Sequence, residues 1–400
     1  MEYLRAKLMS LSIYKQLLDT DPLRCLLALT EEGAPEARIG RYTDLLHCVW
    51  QEGHNTLSDC LRHHLQYDES FFGKLVASNH ASRDVAAAAE RDLRVLSEIG
   101  QLSCGSIKAF LAREMDPVCR SILDTLPELP MGTPFTPEEI LESYRRKGCG
   151  LFALGRAFHW EKGRLTQVKT PDAMDADAMI GYEVQRQSVV ENTRILMNGL
   201  PSANVLLYGD SGTGKSATVK SLLTVPEFYN LRLIEIAKNS LDELTDLIRF
   251  VSGHTQKFIL YIDDLSFSQE DKGFSALKTA LEGGLERRPD NVAIYVTSNR
   301  RHMIRERFSD RQGDDVHAKE TLEEHSSLAE RFGLRIAYLA LDKRRYTDMV
   351  LELCHRRDLP FSDEEIRQEA NRWELRHGGR TPRVAVQLVE QLAGRAIPER

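Results

Sequence analysis

The spacing of apolar residues divides this chain of 400 residues into three regions. Up to about residue 147, apolar positions recur every three or four residues, as in DVAAAAERDLRVLSEI (84–99), which is the period of amphipathic helices. From about residue 179, short apolar runs alternate with glycine turns and helical segments, the rhythm of a parallel α/β sheet. From about residue 344 the helical period returns. We therefore predict a helical part, an α/β part and a second helical part.

Five apolar runs in the middle region have the length and the Val/Ile/Leu content of buried strands. They are NVLLYG, LRLIEI, KFILYID, NVAIYVTS and LRIAYLAL. Before them, FHWEKGRLTQV predicts a small hairpin with Lys162-Gly163 at its turn, and PDAMDADA predicts a polar linker. The predicted domains are a helical N-terminal domain (1–149), the hairpin and linker (150–178), an α/β core (179–343) and a helical lid (344–400).

Charge and composition exclude some partners and locations. The formal net charge of −7 gives no global attraction to nucleic acid or to an anionic membrane. No run of about 18 apolar residues is present, and the charged N-terminal stretch predicts an amphipathic helix instead of a signal peptide. The seven scattered cysteines lack a C-x-x-C pair, which favours thiols in a reducing cytoplasm over disulfides or a zinc site. The His63-His64 pair has no ligand partner at a metal-binding spacing, so we expect it at the surface.

Residues 209–216, GDSGTGKS, match the phosphate-loop pattern G-x-x-x-x-G-K-[ST] between a predicted strand and a predicted helix. Glycine-rich backbone lets N–H groups converge on phosphate oxygens, and the positive end of the helix faces the same anion. We expect Lys215 to neutralise the β/γ-phosphates of a nucleoside triphosphate and Ser216 to hold Mg²⁺. The other predicted nucleotide-binding residues of the loop are Gly209, Asp210, Ser211, Gly212, Thr213, Gly214 and Ala217. The alternative is a Gly/Ser-rich turn that only links the strand to the helix.

Two further strands end in polar side chains. In KFILYIDDL (257–265), two aspartates follow the apolar run. We expect Asp263 to organise Mg²⁺ and Asp264 to polarise the attacking water. NVAIYVTSN ends in Asn299, a neutral amide suited to holding that water near the γ-phosphate. The alternatives are that the aspartates cap the next helix and that Asn299 is an ordinary turn residue.

Together, GDSGTGKS, ILYIDD, VTSN, SLAERFG (327–333) and GGRTPRVAVQLVE (378–390) follow the order Walker A, Walker B, sensor 1, arginine finger and sensor 2. That order resembles an AAA+ ATPase. In detail, residues 179–390 resemble a bacterial family of predicted AAA+ ATPases of unknown function, similar to helicase-loader and replication-initiator modules. The resemblance implies a parallel-sheet P-loop core with a small helical lid, ATP and Mg²⁺ as ligands, and assembly into homo-oligomers.

The resemblance also implies roles for residues outside the loop. Arg331 matches the arginine finger, which in this fold reaches the γ-phosphate of a neighbouring subunit, and Arg383 matches sensor 2. The segment Ile180, Gly181 and Tyr182 matches the lining of the adenine pocket. Asp264 stands where many AAA+ proteins have glutamate, although aspartate also serves there in replication initiators. Each arginine has the alternative of being a solvated surface charge.

The expected function is Mg²⁺-dependent ATP hydrolysis coupled to conformational change or to remodelling of an unknown protein partner. Protein-unfolding AAA+ rings usually carry an aromatic-glycine pore loop between the second strand and Walker B. Residues 234–256 of this chain contain no such tripeptide, which disfavours polypeptide threading. An alternative is a binding switch or loader that docks a partner or single-stranded DNA with little turnover. Residues 300–311, RRHMIRERFSDR, are the candidate contact with nucleic acid, or a solvated face. A small-molecule kinase is a weaker third possibility, because it leaves both arginines without a role.

Overall fold

The chain forms two compact units in the computed structural model. One unit is Met1–Leu154 together with Gly253–Thr255, and the other is Gly155–Ser252 together with Gln256–Arg400. The structure describes residues 3–67, 71–77, 81–175, 178–265, 272–282, 289–299 and 328–396.

The first unit is helical in its described residues. Its helices are α1 (Leu4–Met9), α2 (Asp21–Ala28), α3 (Pro35–Gln51), α4 (Leu57–Gln66), α5 (Phe71–Ala77), α6 (Arg83–Gly100), α7 (Cys104–Leu111), α8 (Pro117–Thr125), α9 (Pro137–Lys147) and α10 (Leu151–Leu154). Side-chain caps begin several of them: Thr56 accepts from the Asp59 amide at α4, and Thr136 with Glu139 forms a capping box at α9. The apolar faces meet in one buried core.

The N-terminal stretch is not the single amphipathic helix that its sequence predicts. Helix α1 ends at Met9, and a short 3₁₀ helix follows at Lys15–Asp19. The fully buried carboxylate of Asp92 on α6 explains the break, because its Oδ2 accepts from the Ser12 amide at 2.7 Å and from the Ile13 amide at 2.8 Å. Those two N–H groups are thus satisfied outside any helix.

The second unit is built on a seven-stranded sheet. Its strands are β1 (Ala157–Glu161), β2 (Arg164–Gln167), β3 (Val205–Gly209), β4 (Leu231–Ile236), β5 (Lys257–Ile262), β6 (Val292–Ser298) and β7 (Leu334–Tyr338), in the order β2-β1-β4-β5-β6-β3-β7. All neighbours pair in parallel except β1 and β2. Strands β5 and β6 are almost entirely buried, in keeping with their continuous apolar runs. This is the predicted α/β class with a parallel-sheet core.

The predicted hairpin is part of this sheet and not of a separate linker segment. Strand β1 pairs in parallel with β4, with Ala157 opposite Leu233, and β2 forms the edge. Lys162 and Gly163 both have positive φ, at 50° and 70°, as a two-residue hairpin turn requires. The burial of alternate residues along β1 supplies the apolar face that joins it to the sheet.

Helices flank the sheet and form the lid. Those within the core are α11 (Glu183–Met197), α12 (Lys215–Ser221), α13 (Leu244–Ser252) and α14 (Lys272–Glu282), and those of the lid are α15 (Lys343–Arg356), α16 (Asp363–His377) and α17 (Pro382–Ala396). The lid has a core of its own, centred on Val350, Leu388 and Val389. Within the described residues, no helix combines the length and apolar character needed to cross a membrane.

The role of Asp92 is testable. Asp92→Ala leaves the amides of Ser12 and Ile13 without their charged acceptor, so the free energy of unfolding should fall by about 2–4 kcal/mol. Hydrogen exchange at those two amides should accelerate, as read by NMR. The exposed first-turn acid of the same helix provides a control, since Asp84→Asn should cost less than about 1 kcal/mol. Unchanged exchange at both amides would show that the carboxylate does not hold the break.

Candidate nucleotide-binding site

The phosphate loop leaves the sheet at the carboxyl end of β3, beside β7. Gly209 pairs with Tyr338, and a Cβ at Gly209 would lie 2.2 Å from the Tyr338 carbonyl oxygen. Its φ of 131° is also one that other residues avoid. Asp210 then fixes the loop to β7: its amide donates to the Tyr338 carbonyl at 2.9 Å, and its Oδ2 accepts from the Ala340 amide at 2.7 Å. Only glycine at 209 permits this exit.

Lys215 opens helix α12 and points back into the loop. Its Nζ donates to the carbonyl oxygens of Gly209 at 3.1 Å and Asp210 at 2.6 Å, and only 5% of the residue is exposed. Burial lowers the pKa of Lys215, and the charge of Arg383 adds to this, whereas nearby aspartates oppose it. The ammonium group is therefore held inside the loop, where the phosphates of a nucleotide would replace the two carbonyl contacts.

The Asp263 carboxylate joins the loop to two other strands. Its Oδ1 accepts from the Ser216 hydroxyl at 2.7 Å and from the Thr297 hydroxyl at 2.6 Å. Burial alone would raise the pKa of Asp263, but the hydrogen bonds from the Thr297 and Ser216 hydroxyls, with the charge of Lys220, outweigh it and lower the pKa. An anionic carboxylate beside a hydroxyl is the oxygen donor set that Mg²⁺ prefers, so Ser216 and Asp263 fit that ion.

Asp264 faces away from its neighbour, because its φ of 49° turns the backbone at the end of β5. Its amide donates to the Thr297 hydroxyl at 2.8 Å, and its Oδ1 accepts from the Asn299 side-chain amide at 2.7 Å. Its Oδ2 lies 3.7 Å from the Lys238 ammonium, and both side chains are more than half exposed. The structure thus brings Asp264 and Asn299 together at the open side of the site.

Two residues of this network were not among the predicted site residues. Thr297 donates to Asp263 and accepts from the amide of Asp264, so it sets the positions of both carboxylates. A signal for it existed, since it stands two residues before Asn299 on a strand that ends at the site. Lys238 follows β4 and has no motif around it; only the order of the strands brings it near.

The sensor-2 candidate lies against the phosphate loop. Arg383 stands in the first turn of lid helix α17, and its amide donates to the Gly212 carbonyl at 3.2 Å. A Cβ at Gly212 would lie 3.1 Å from the Arg383 Cβ and 3.2 Å from the Thr381 hydroxyl, at a φ of 75° that already favours glycine. The start of helix α17 therefore contacts the loop directly: the Arg383 amide bonds to the Gly212 carbonyl, and the side chains of Arg383 and Thr381 pack against Gly212.

The three residues expected at the adenine line a cavity of about 690 Å³. Ile180, Gly181 and Tyr182 form one wall, and Leu339 and Met349 lie among the residues of the other. The Tyr182 ring stacks on Tyr338 with centroids 5.1 Å apart, and its hydroxyl donates to the Leu339 carbonyl at 2.5 Å. Burial raises the pKa of Tyr182 to about 12, with further contributions from Asp210 and Tyr338. Ala340, which also lines the cavity, donates its amide to Asp210 of the loop. Charged side chains such as Asp348 and Glu352 share the lining with apolar and aromatic groups that could contact a purine.

Arg331 is not brought to the phosphate loop of its own chain. It precedes β7, whose first residue, Leu334, pairs with Val205 at the amino end of β3. The loop follows Gly209, at the carboxyl end of β3, about 13 Å further along the strands. The predicted nucleic-acid contact, residues 300–311, lies outside the described residues.

Comparison with known proteins identifies the family of this chain. A family model described as "Protein of unknown function (DUF815)" matches residues 154–396. An ORC1-type DNA replication protein of Methanocorpusculum labreanum is 33% identical over 116 residues, which cover 26% of this chain and 27% of that protein. The structure of the Thermotoga maritima RuvB Holliday junction branch migration motor is 18% identical with a TM-score of 0.37. That match covers 55% of this chain and 64% of the RuvB chain. The chain thus spans about a quarter of the replication protein and less than two thirds of RuvB.

The bridging role of Thr297 gives a prediction. Thr297→Val keeps the shape but removes one hydrogen bond to Asp263 and the acceptor of the Asp264 amide. We expect ATP affinity in Mg²⁺ to fall about tenfold, which is about 1.4 kcal/mol, and affinity in EDTA to change little. Calorimetric titration under both conditions measures this. Thr279→Val, on the exposed side of α14, is the matched control. Equal losses with and without Mg²⁺ would contradict a role in the metal half of the site.

Proposed function

We propose that this chain, which belongs to the DUF815 family of proteins of unknown function, binds and hydrolyses ATP with Mg²⁺. The observation that carries the proposal is the pair of adjacent carboxylates with different surroundings. Asp263 is held by the Ser216 and Thr297 hydroxyls beside the loop, whereas Asp264 faces Asn299 at the open side.

Each carboxylate suits a different step. Asp263, with its lowered pKa, and Ser216 would hold Mg²⁺, which supplies charge neutralisation at the β- and γ-phosphates. Asp264 would accept a proton from a water molecule that Asn299 orients. The water oxygen then bonds to the γ-phosphorus, the bond from that phosphorus to the β–γ bridging oxygen breaks, and ADP and phosphate leave. Lys215 would exchange its two loop carbonyls for phosphate oxygens and neutralise their charge.

The proposed site is completed by a second copy of the chain. Arg331 stands beyond the amino end of β7, about 13 Å along the sheet from the end where the loop begins, which supports action on the nucleotide of a neighbouring subunit. An arginine supplied in this way contributes several powers of ten to the rate in other P-loop enzymes. We therefore propose a homo-oligomer in the cytoplasm.

The lid would couple the nucleotide to conformational change. Arg383 is bound to the phosphate loop through the Gly212 carbonyl, and lid helix α15 contributes Met349 to the proposed adenine cavity. A nucleotide in this site would contact both the core and the lid. Gain or loss of the γ-phosphate would therefore shift the preferred lid position, and with it the surface offered to a protein partner.

A binding switch with little turnover is the second candidate. It is favoured by Asp264, which is shorter than the glutamate common at this position and has the Lys238 ammonium 3.7 Å away. That ammonium group pairs with one oxygen of the carboxylate that would otherwise face the water. The relative named as a DNA replication protein supports DNA as the docked partner, and residues 300–311 are its candidate contact.

Two variants separate binding from hydrolysis. Lys215→Ala should abolish ATP binding, because the loop loses the positive charge next to the phosphates. Asp264→Asn should bind ATP normally and lose at least about 100-fold in phosphate release, because its shape is kept while the carboxylate is removed. Calorimetry and a phosphate-release assay measure the two effects, with Asp242→Asn, an exposed acid near Lys238, as the control. Negligible turnover in the natural protein with intact binding would favour the switch.

Complementation tests the action of Arg331 between subunits. Arg331→Ala should bind ATP but hydrolyse it poorly. Mixing it with Lys215→Ala should restore part of the activity, because each Lys215→Ala subunit still lends its arginine to a neighbour with a working loop. The specific rate of the natural protein should also rise with its concentration. Arg335→Ala, exposed on β7, is the matched control and should keep the rate within about twofold. A rate independent of concentration, without rescue on mixing, would argue for a monomer.

A further inference from the structure

A cluster of metal-ligating side chains lies in the N-terminal helical unit, far in sequence from the nucleotide site. It occupies the turn between α3 and α4, in the pattern E-x-H-x₅-C-x₂-H-H. Its members are Glu52 at the end of α3, His54 in the connecting loop, and Cys60, His63 and His64 on α4. The expectation that the histidine pair lacks ligand partners is therefore wrong, because the helical turn brings Glu52 and His54 back against it.

The distances within the cluster match a coordination sphere. The Glu52 Oε2 atom lies 2.9 Å from His64 Nε2, 3.3 Å from Cys60 Sγ and 3.9 Å from His54 Nε2. Two groups, Glu52–His54–His63 and Glu52–Cys60–His64, each have all their ligand atoms within 4.8 Å of one another. In a tetrahedral zinc site, bonds of 2.0–2.3 Å put neighbouring ligand atoms about 3.3–3.8 Å apart. Within each group, shifts of about an ångström therefore suffice.

Two imidazole nitrogens point to something beyond the protein's own hydrogen bonds. His54 Nε2 and His63 Nδ1 are buried, and neither has a hydrogen-bond partner among the described residues. Their rings lie together, with centroids 4.8 Å apart. Leaving a buried polar nitrogen unsatisfied costs free energy, so such groups in a folded protein call for an explanation. A metal ion at the cluster would supply the missing partner.

We propose that this cluster binds one divalent transition-metal ion of the Zn²⁺ class. Glu52, Cys60 and His64 supply three ligands, and the adjacent His54–His63 pair, whose ring planes are tilted by 56°, supplies a nitrogen as the fourth. Mixed nitrogen, sulfur and oxygen donors suit Zn²⁺ and do not suit Mg²⁺ or Ca²⁺, which take oxygen. On binding, the Cys60 thiol releases its proton to solvent and ligates as the thiolate. The ion would fasten the end of α3 to α4 and so stabilise the helical unit.

The test uses the full chain, freed of metal by chelation and without nucleotide, titrated with Zn²⁺ alone in a calorimeter. We expect one Zn²⁺ per chain and a higher melting temperature in its presence. Glu52→Gln and Cys60→Ala should each weaken binding at least about tenfold. The control is His355→Gln: His355 Nε2 lies 2.8 Å from Asp363 Oδ1 without a third ligand within reach among the described residues, so its loss should change nothing.

Co²⁺ substitution in the natural chain identifies the donors without any variant. A thiolate-to-cobalt absorption band and tetrahedral d–d bands should appear together at one equivalent. Far-UV circular dichroism and a cooperative thermal transition equal to those of the metal-free natural chain show that Glu52→Gln and Cys60→Ala keep the helical unit folded. Stoichiometry well below one, absence of the thiolate band, or equal affinity in folded Glu52→Gln would each overturn the proposal.

Discussion

The carboxylate of Asp263 is the contact on which the arrangement of the nucleotide site depends. It lies at the end of β5 and accepts hydrogen bonds from Ser216, which follows the loop after β3, and from Thr297 on β6. These are three neighbouring strands, so a single half-buried anion fixes their carboxyl ends relative to one another. The hydrogen bonds from these hydroxyls offset the desolvation of the Asp263 carboxylate, as its lowered pKa indicates. Without those donors a charge at this position would destabilise the sheet.

The backbone turn after Asp263 gives adjacent residues separate roles. At the left-handed φ of Asp264 the chain turns, so that its side chain meets Asn299 and not the Ser216 hydroxyl. Thr297 maintains the separation, because one hydroxyl donates to the first carboxylate and accepts from the amide of the second. Two neighbouring carboxylates therefore differ in burial, in hydrogen bonding and in charge partners, which is how one strand end serves both metal binding and water activation in the proposed reaction.

Local sequence predicted those parts of the site whose causes are local. The apolar runs predicted all five strands of the core, and the glycine spacing predicted the loop at 209–216, because each depends on neighbouring residues. The expected burial was wrong for β7, which lies at the edge of the sheet and is only partly buried. What escaped prediction depends on distant partners. The break after α1 needs Asp92, about 80 residues away, and the joining of β1 to β4 pairs residues 76 apart, Ala157 with Leu233. Lys238 likewise becomes visible only once the chain is folded. The Glu52 cluster is local in sequence, within residues 52–64, but its side chains converge only through the turn between α3 and α4.

Parallel pairing also places Arg331 away from the phosphate loop of its own chain. All the strands that meet at the nucleotide present their carboxyl ends to one edge of the sheet, which is why Ser216, Asp263 and Asn299 converge although the chain separates them widely. A residue that precedes β7 stands at the opposite edge, and the fixed register of Leu334 with Val205 prevents it from sliding toward the loop. If Arg331 takes part in the proposed hydrolysis, the γ-phosphate it contacts therefore belongs to another copy of the chain, and assembly becomes a condition of the chemistry itself.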